Sequence, residues 1–234
     1  MAWTMIEHPD ADALAAAVAA RIDEALDAAL ATRGGAVLAL AGGRTSPPVF
    51  RRLAQRNRDW RRVTVLPSDE RWVARDHPDC NLRQMQDAFT GAADIRWLAL
   101  VPEAPQGAPD AAFANRALDV LPDDFDATLL GMGVDGHFGS LFPGSPNLPR
   151  ALDPAGGDAA AAILPDPMPA AGPHPRVSLT LSRMLRSRRV LLAITGHDKR
   201  AVLEQAQRAP DPLRWPVGAL LHAPGATIEI HWSP

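Results

Sequence analysis

The stretch Ala36-Val37-Leu38-Ala39-Leu40-Ala41-Gly42-Gly43-Arg44-Thr45-Ser46-Pro47-Pro48 decides the fold. Its first six residues are apolar without a break, and glycines bound them on both sides. A short run of that kind suits a strand buried on both faces. Beyond the glycines, Ser46 stands at an expected helix cap and Pro47 at the first helical position, where a missing N–H costs nothing. Strand, tight loop and helix follow one another within thirteen residues. The same apolar signal returns at 63–66, 95–100, 128–130 and 190–194, with helical patterns at 47–58, 81–89, 108–121 and 198–208. Strands that alternate with helices predict an α/β fold: a doubly wound, mainly parallel sheet with helices on both faces.

Upstream, Leu14, Val18, Ile22, Leu26 and Leu30 repeat every fourth residue, which predicts a helix over 11–31. Asp10 caps it and Gly34-Gly35 stops it. Downstream, the runs at 217–221 and 227–232 flank a Pro224-Gly225 turn and read as a terminal strand, with a hairpin at the sheet edge. Residues 143–175 carry nine prolines and an alanine run, which predicts a long irregular loop. That loop is too short to separate two folding units, so the expectation is a single domain over 1–234.

Composition removes several function classes. The net charge of −3 argues against a nucleic-acid surface, which needs clustered cations. Arg51, Arg52, Arg56, Arg58, Arg61 and Arg62 read instead as the solvated face of a helix and its exit, because Val49, Phe50 and Leu53 lie among them. One cysteine, Cys80, excludes an intrachain disulfide framework and a multi-cysteine metal site. No window reaches the ~18 apolar residues of a membrane span. The first 26 residues lack the basic start of a secretory signal and read as an ordinary helix. A cytoplasmic protein without nucleic-acid or membrane partners is expected.

Three segments carry chemistry. In Gly42-Gly43-Arg44-Thr45 the glycines let the backbone approach a ligand, and free N–H groups at the helix start attract an anion. On its residues alone the segment is equally a glycine turn, and it matches no nucleotide-binding fingerprint. Ser68-Asp69-Glu70-Arg71 brings both charge signs to the end of a strand, where doubly wound folds place ligands; a surface ion pair is the plainer alternative. The third, Gly131-Met132-Gly133-Val134-Asp135-Gly136-His137, sets a histidine two residues from an aspartate in a glycine-dense strand exit. Imidazole is the side chain best matched to proton transfer near pH 7. No His-x-x-x-His pair accompanies it, so a metal site is not expected there. His8, His174, His197, His222 and His231 have no such context and read as surface or structural residues.

Taken in order, these segments resemble the family of 6-phosphogluconolactonases and glucosamine-6-phosphate isomerases. The matching elements are Gly42-Gly43-x-Thr45, Ser68-Asp69-Glu70-Arg71-x-Val73, His77-x-x-x-Asn81, Gly131-Met-Gly-x-Asp-Gly-His137-x-x-Ser140-Leu-Phe-Pro-Gly144, Arg176-Val-Ser-Leu-Thr180, Gly196-x-x-Lys199 and Pro216-Val217. The likeness runs from the first helix to the terminal strand. This chain departs from the usual pattern at Arg44, at Phe138-Gly139 and in having no lysine just before Arg176. Phe138 is thereby expected to set a bulky ring beside His137.

The resemblance implies a Rossmann-like sheet and metal-free, cofactor-free hydrolysis of 6-phosphogluconolactone in the oxidative pentose phosphate pathway. In that scheme His137 is the acid–base residue and Arg71 anchors substrate or steadies the oxyanion. Asp69 orients Arg71 or His137, and Asp135 supports the site. Gly42, Gly43, Arg44 and Thr45 hold the phosphate, with Arg176 and Lys199 as further cations. The expected partner is a small sugar phosphate, and the expected assembly a monomer or weak homo-oligomer. Two rivals remain open: a glucosamine-6-phosphate isomerase/deaminase, whose relatives carry a Glu after the His where this chain has Phe138 to Gly144, and a non-catalytic sugar-phosphate sensor. Cys80 reads as a structural stand-in for serine.

Overall fold

Five of the six residues of the decisive apolar run form a fully buried strand, Ala36–Leu40. Its side chains alternate between two cores, as a period of two requires. Ala36, Leu38 and Leu40 enter one, and Val37 and Ala39 the other. The same split recurs along Val190–Thr195, where Leu191 and Ala193 face one core and Val190, Leu192 and Ile194 the opposite one. The sheet therefore has helices on both faces.

The computed structural model describes residues 2–169 and 172–234. In chain order its elements are β1 (Ala2–Glu7), α1 (Ala11–Arg33), β2 (Ala36–Leu40), α2 (Pro47–Ala54), β3 (Val63–Pro67), β4 (Asp69–Arg71), α3 (Asn81–Ala88), β5 (Arg96–Trp97) and α4 (Ala112–Leu118). They continue with β6 (Ala127–Leu130), α5 (Leu148–Ala151), β7 (Ala160–Ile163), β8 (Arg176–Leu179), α6 (Leu181–Leu185), β9 (Val190–Thr195), α7 (His197–Arg208), α8 (Val217–Leu221) and β10 (Thr227–Ser233). Seven strands form the main sheet in the order β1-β10-β9-β6-β2-β3-β5, with every pairing parallel. Three more, in the order β4-β8-β7, form a small antiparallel sheet.

The long first helix follows its pattern. Asp10 accepts from Ala13 N at 2.8 Å, and Leu14, Val18, Ile22, Leu26 and Ala29 are buried. The arginines of α2 and its exit differ from a merely solvated face. Arg52 pairs with Asp12 at 2.6 Å, and Arg58, its side chain only 5% exposed, bridges Asp23 and Asp27. They fasten α2 and its exit to α1.

Four expectations need correction. The start of the chain is a strand, not part of a helix: β1 lies parallel to β10 on the outer edge of the sheet. Residues 217–221 form α8, because Val217, Leu220 and Leu221 are buried at helical spacing, and so short an apolar run fits either structure. Consequently no terminal hairpin forms; β10 lies inside the sheet, parallel to both β1 and β9. Within 143–175 the chain makes α5 and β7, and Ala170 and Ala171 of that segment lie outside the described residues.

Where β1 meets β10, His8 Nε2 and His231 Nδ1 stand 2.9 Å apart with their rings nearly coplanar in orientation (4°). Burial, helped by the neighbouring His8, pushes His231 from 6.5 down to about 4. Burial also lowers His8. The folded state thus binds fewer protons than the unfolded chain below pH 6.5, so this pair's contribution is complete above 6.5 and is lost as pH falls toward 4. We expect the Tm to drop between pH 6.5 and about 5, before most carboxylates titrate, and His231→Gln to flatten that part of the curve. An unchanged slope in the variant would assign the loss to other groups.

Candidate active site

Parallel strands end at one edge, and there the loops after β2 and β6 part around a cavity of about 310 Å³. The antiparallel β4 and β8 form a second wall and the first turns of α7 a third, since Asp69, Arg71, Arg176 and Lys199 all line the cavity. His137, Gly42, Gly43, Arg44 and Thr45 line it too. Asp135 stands behind His137 and is not part of the wall.

His137 is held from three directions. The loop closes on itself through Gly133 N to His137 O at 2.9 Å. Asp135 Oδ1 lies 2.5 Å from His137 Nδ1 and also accepts from His137 N at 3.3 Å. The Phe142 ring packs on the imidazole with centroids 4.1 Å apart. Burial alone would raise the Asp135 carboxyl, but the hydrogen bond and charge of His137 outweigh it and leave the acid below its usual range. An ionised Asp135 accepts from Nδ1–H, so Nε2 is left as the nitrogen with a free lone pair. Gly133 makes this packing possible, because a Cβ there would lie 2.3 Å from the imidazole and 2.4 Å from Asp135 Oδ1.

Arg71 and Arg176 face each other across the β4–β8 ladder. Arg71 Nη1 donates to Asp79 O at 3.2 Å and to Asn81 Oδ1, while Asn81 Nδ2 donates to Asp69 O at 2.7 Å. Arg176 donates to Gly172 O at 2.7 Å and lies over the Phe142 ring. Burial lowers the Arg176 pKa, Arg71 adds repulsion, and Asp69, Glu70 and Asp79 offset part of it. Burial lowers Lys199 as well, with Arg44 repelling and Asp135 opposing the fall. Two pairs of mutually repelling cations around one cavity describe an anion site.

Glu70 fixes the frame. Only 1% exposed, it accepts from the backbone N–H groups of Arg71, Asn81 and Leu82 at 2.7–2.8 Å and from Cys80 Sγ at 3.5 Å. Its carboxylate thereby ties β4 to the start of α3. Burial raises its pKa against those hydrogen bonds.

The sequence profile described as glucosamine-6-phosphate isomerases/6-phosphogluconolactonase matches residues 9–232. The chain belongs to that family. Among its members, a 6-phosphogluconolactonase of Pseudomonas putida is 39% identical over 97% of this chain and 92% of its own. One of Rhizobium meliloti is 36% identical over 98% and 97%. The crystal structure of a 6-phosphogluconolactonase from Shewanella baltica OS155 superposes with a TM-score of 0.90 at 30% identity, covering 99% of this chain and 97% of the other.

Some expectations drawn from the residues and from the family resemblance differ from the geometry. Asp69 bonds neither Arg71 nor His137; its two oxygens accept from Ser68 Oγ at 3.1 Å and from Ser140 Oγ. Phe138 is fully buried in the core rather than beside the imidazole, and Phe142 takes that place. The turn dictates this: the chain reverses at Gly139, whose φ is 53°, and Phe138 and Leu141 close an isolated bridge around it with both side chains buried. Ser46 precedes α2 but donates to Gly42 O at 3.3 Å instead of capping the helix. Ser140 and Phe142 fall within the matched motif ending at Gly144, but the motif gave neither a role; their contacts with Asp69 and His137 emerge only in the fold.

Two outcomes follow for a member of this family. Asp135→Asn should lower kcat for lactone opening at least about tenfold, yet less than the ~10²–10⁴-fold expected for losing the base itself, with circular dichroism unchanged. Gly42→Ala sets a Cβ 2.4 Å from Asn81 Oδ1, which must move and release Arg71. Its kcat/KM should fall by roughly an order of magnitude or more, and a wild-type value would show that Arg71 needs no support from Asn81.

Proposed function

We propose that this chain hydrolyses 6-phospho-D-glucono-1,5-lactone to 6-phosphogluconate, with His137 as general acid and base. The observation that carries this is the Asp135–His137 pair at 2.5 Å, set in a cavity whose other walls present Arg44, Lys199, Arg71 and Arg176. The named relatives at 36–39% identity support the lactone as substrate over an amino sugar phosphate.

The 6-phosphate occupies the Gly42-Gly43-Arg44-Thr45 loop at the start of α2, with Lys199 and Arg176 as further cations. Water attacks the lactone carbonyl carbon while His137 Nε2 takes its proton, and Asp135 steadies the imidazolium that forms. The tetrahedral oxyanion is met by Arg71, whose guanidinium Asp79 and Asn81 hold in place. When the bond to the ring oxygen breaks, His137 returns the proton to that oxygen. The product leaves as a hydroxy acid that ionises to 6-phosphogluconate. Asp69, bound by two serine hydroxyls, serves as a counter-charge to Arg176.

The deciding assay follows opening of freshly generated phospholactone against its spontaneous rate. Wild type accelerates it, and His137→Ala loses ~10²–10⁴-fold in kcat. A wild-type rate equal to background would overturn the proposal, and so would a loss under about tenfold in a folded variant for the role of His137.

A further inference from the structure

A second cluster of ligating side chains lies outside the cavity; of its residues only the Asp79 backbone carbonyl, which holds Arg71, enters the proposed reaction. His77 and Asp79 belong to the turn before α3, and His174 comes two residues before β8. One ligating atom from each of the three lies within 4.8 Å of the other two. His174 Nε2 is 2.8 Å from Asp79 Oδ2, and the rings of His77 and His174 meet edge to face with centroids 5.3 Å apart. We propose that His77, Asp79 and His174 bind a divalent transition ion of the zinc class, with water completing the shell.

The donor set selects the ion. Two imidazoles and one carboxylate match zinc, cobalt or nickel, whereas magnesium and calcium prefer oxygen ligands throughout. Bonds of ~2.0–2.1 Å in a tetrahedral shell place donors roughly 3.3 Å apart, so the three atoms need close by no more than about 1.5 Å. Solvent reaches the cluster, since the side chains of His174 and Asp79 are 22% and 41% exposed. His77 Nδ1 now accepts from Asp79 N at 3.0 Å. Its ring joins the shell by turning about Cβ–Cγ or by exchanging that hydrogen bond for a metal bond, leaving the N–H of a partly exposed turn to water. Arg71 Nη1 on Asp79 O brings positive charge close by, which makes the site weaker than a four-ligand structural one.

The ion would act as a clamp. His77 and Asp79 share a turn with Asn81, and His174 precedes Arg176, so binding joins the two segments that present the arginine pair. Catalysis does not require it.

The test is a titration of chelator-treated protein with Co²⁺, then Zn²⁺. One saturable equivalent giving a tetrahedral visible band, displaced by Zn²⁺, is the expected result. At a hundred times Kd the Tm should rise by about 5–10 °C. His174→Ala and His77→Ala should each weaken binding at least tenfold while remaining folded. Absence of a saturable equivalent would overturn the site, as would one equivalent retained at full affinity in His174→Ala. Lactone opening is measured separately, so loss of either result leaves the other standing.

Discussion

A strand with apolar side chains on both faces cannot reach water, so its backbone polar groups must be satisfied by parallel neighbours and its ends alone are free to be polar. β2, β6 and β9 live under that constraint, and the geometry of the site descends from it. Ala41 N reaches Leu129 O at 2.8 Å and Ser68 N reaches Leu40 O at 2.8 Å, the last ladder bonds before the chains part. Immediately beyond them lie Gly42, Asp69 and Gly131, three points on the cavity rim. The strands deliver the loops together because the ladder holds them in register to their last residue.

The second sheet turns that edge into an enclosure. β4 follows β3 after one residue but leaves the main sheet to pair with β8, and the buried Glu70 carboxylate makes the departure durable. Burying a carboxylate is costly unless its oxygens are satisfied, and here three backbone N–H groups and a thiol do so. Removal of either side of that arrangement leaves a charged group or several amides unpaired. Cys80 therefore contributes a hydrogen bond in a closed polar cluster, and burial together with the Glu70 charge holds its thiol protonated.

What could be read in the sequence divides along a physical line. The interior strands β2, β3, β6 and β9 announce themselves as unbroken apolar runs, and Gly133, Asp135 and His137 interact within five residues of chain. Local order carries local information. β1 is a short edge strand without a regular polar–apolar alternation, and its pairing with β10, more than two hundred residues away, leaves no local trace. α8 and a strand are equally compatible with Val217-Gly-Ala-Leu-Leu221, and only packing chose the helix. The partner of Asp69 is Ser140, supplied by the other side of the cavity, and the stacking of Phe142 on His137 depends on the turn at Gly139. Each missing feature is a long-range contact or a turn that sends neighbouring side chains in opposite directions.

Like charges meet around the cavity. Arg71 opposes Arg176 across the ladder, and Arg44 repels Lys199; like charges so placed destabilise a sheet or loop unless something anionic sits between them. Asp69 offsets part of this for Arg176, but serine hydroxyls occupy both its oxygens, which keeps it from collapsing onto a guanidinium as a closed ion pair. A carboxylate tethered in that way leaves the cations available to a bound dianion. Like charges held in this way draw an anion more strongly than a neutralised pair would, and the serine hydroxyls keep Asp69 from supplying that neutralisation.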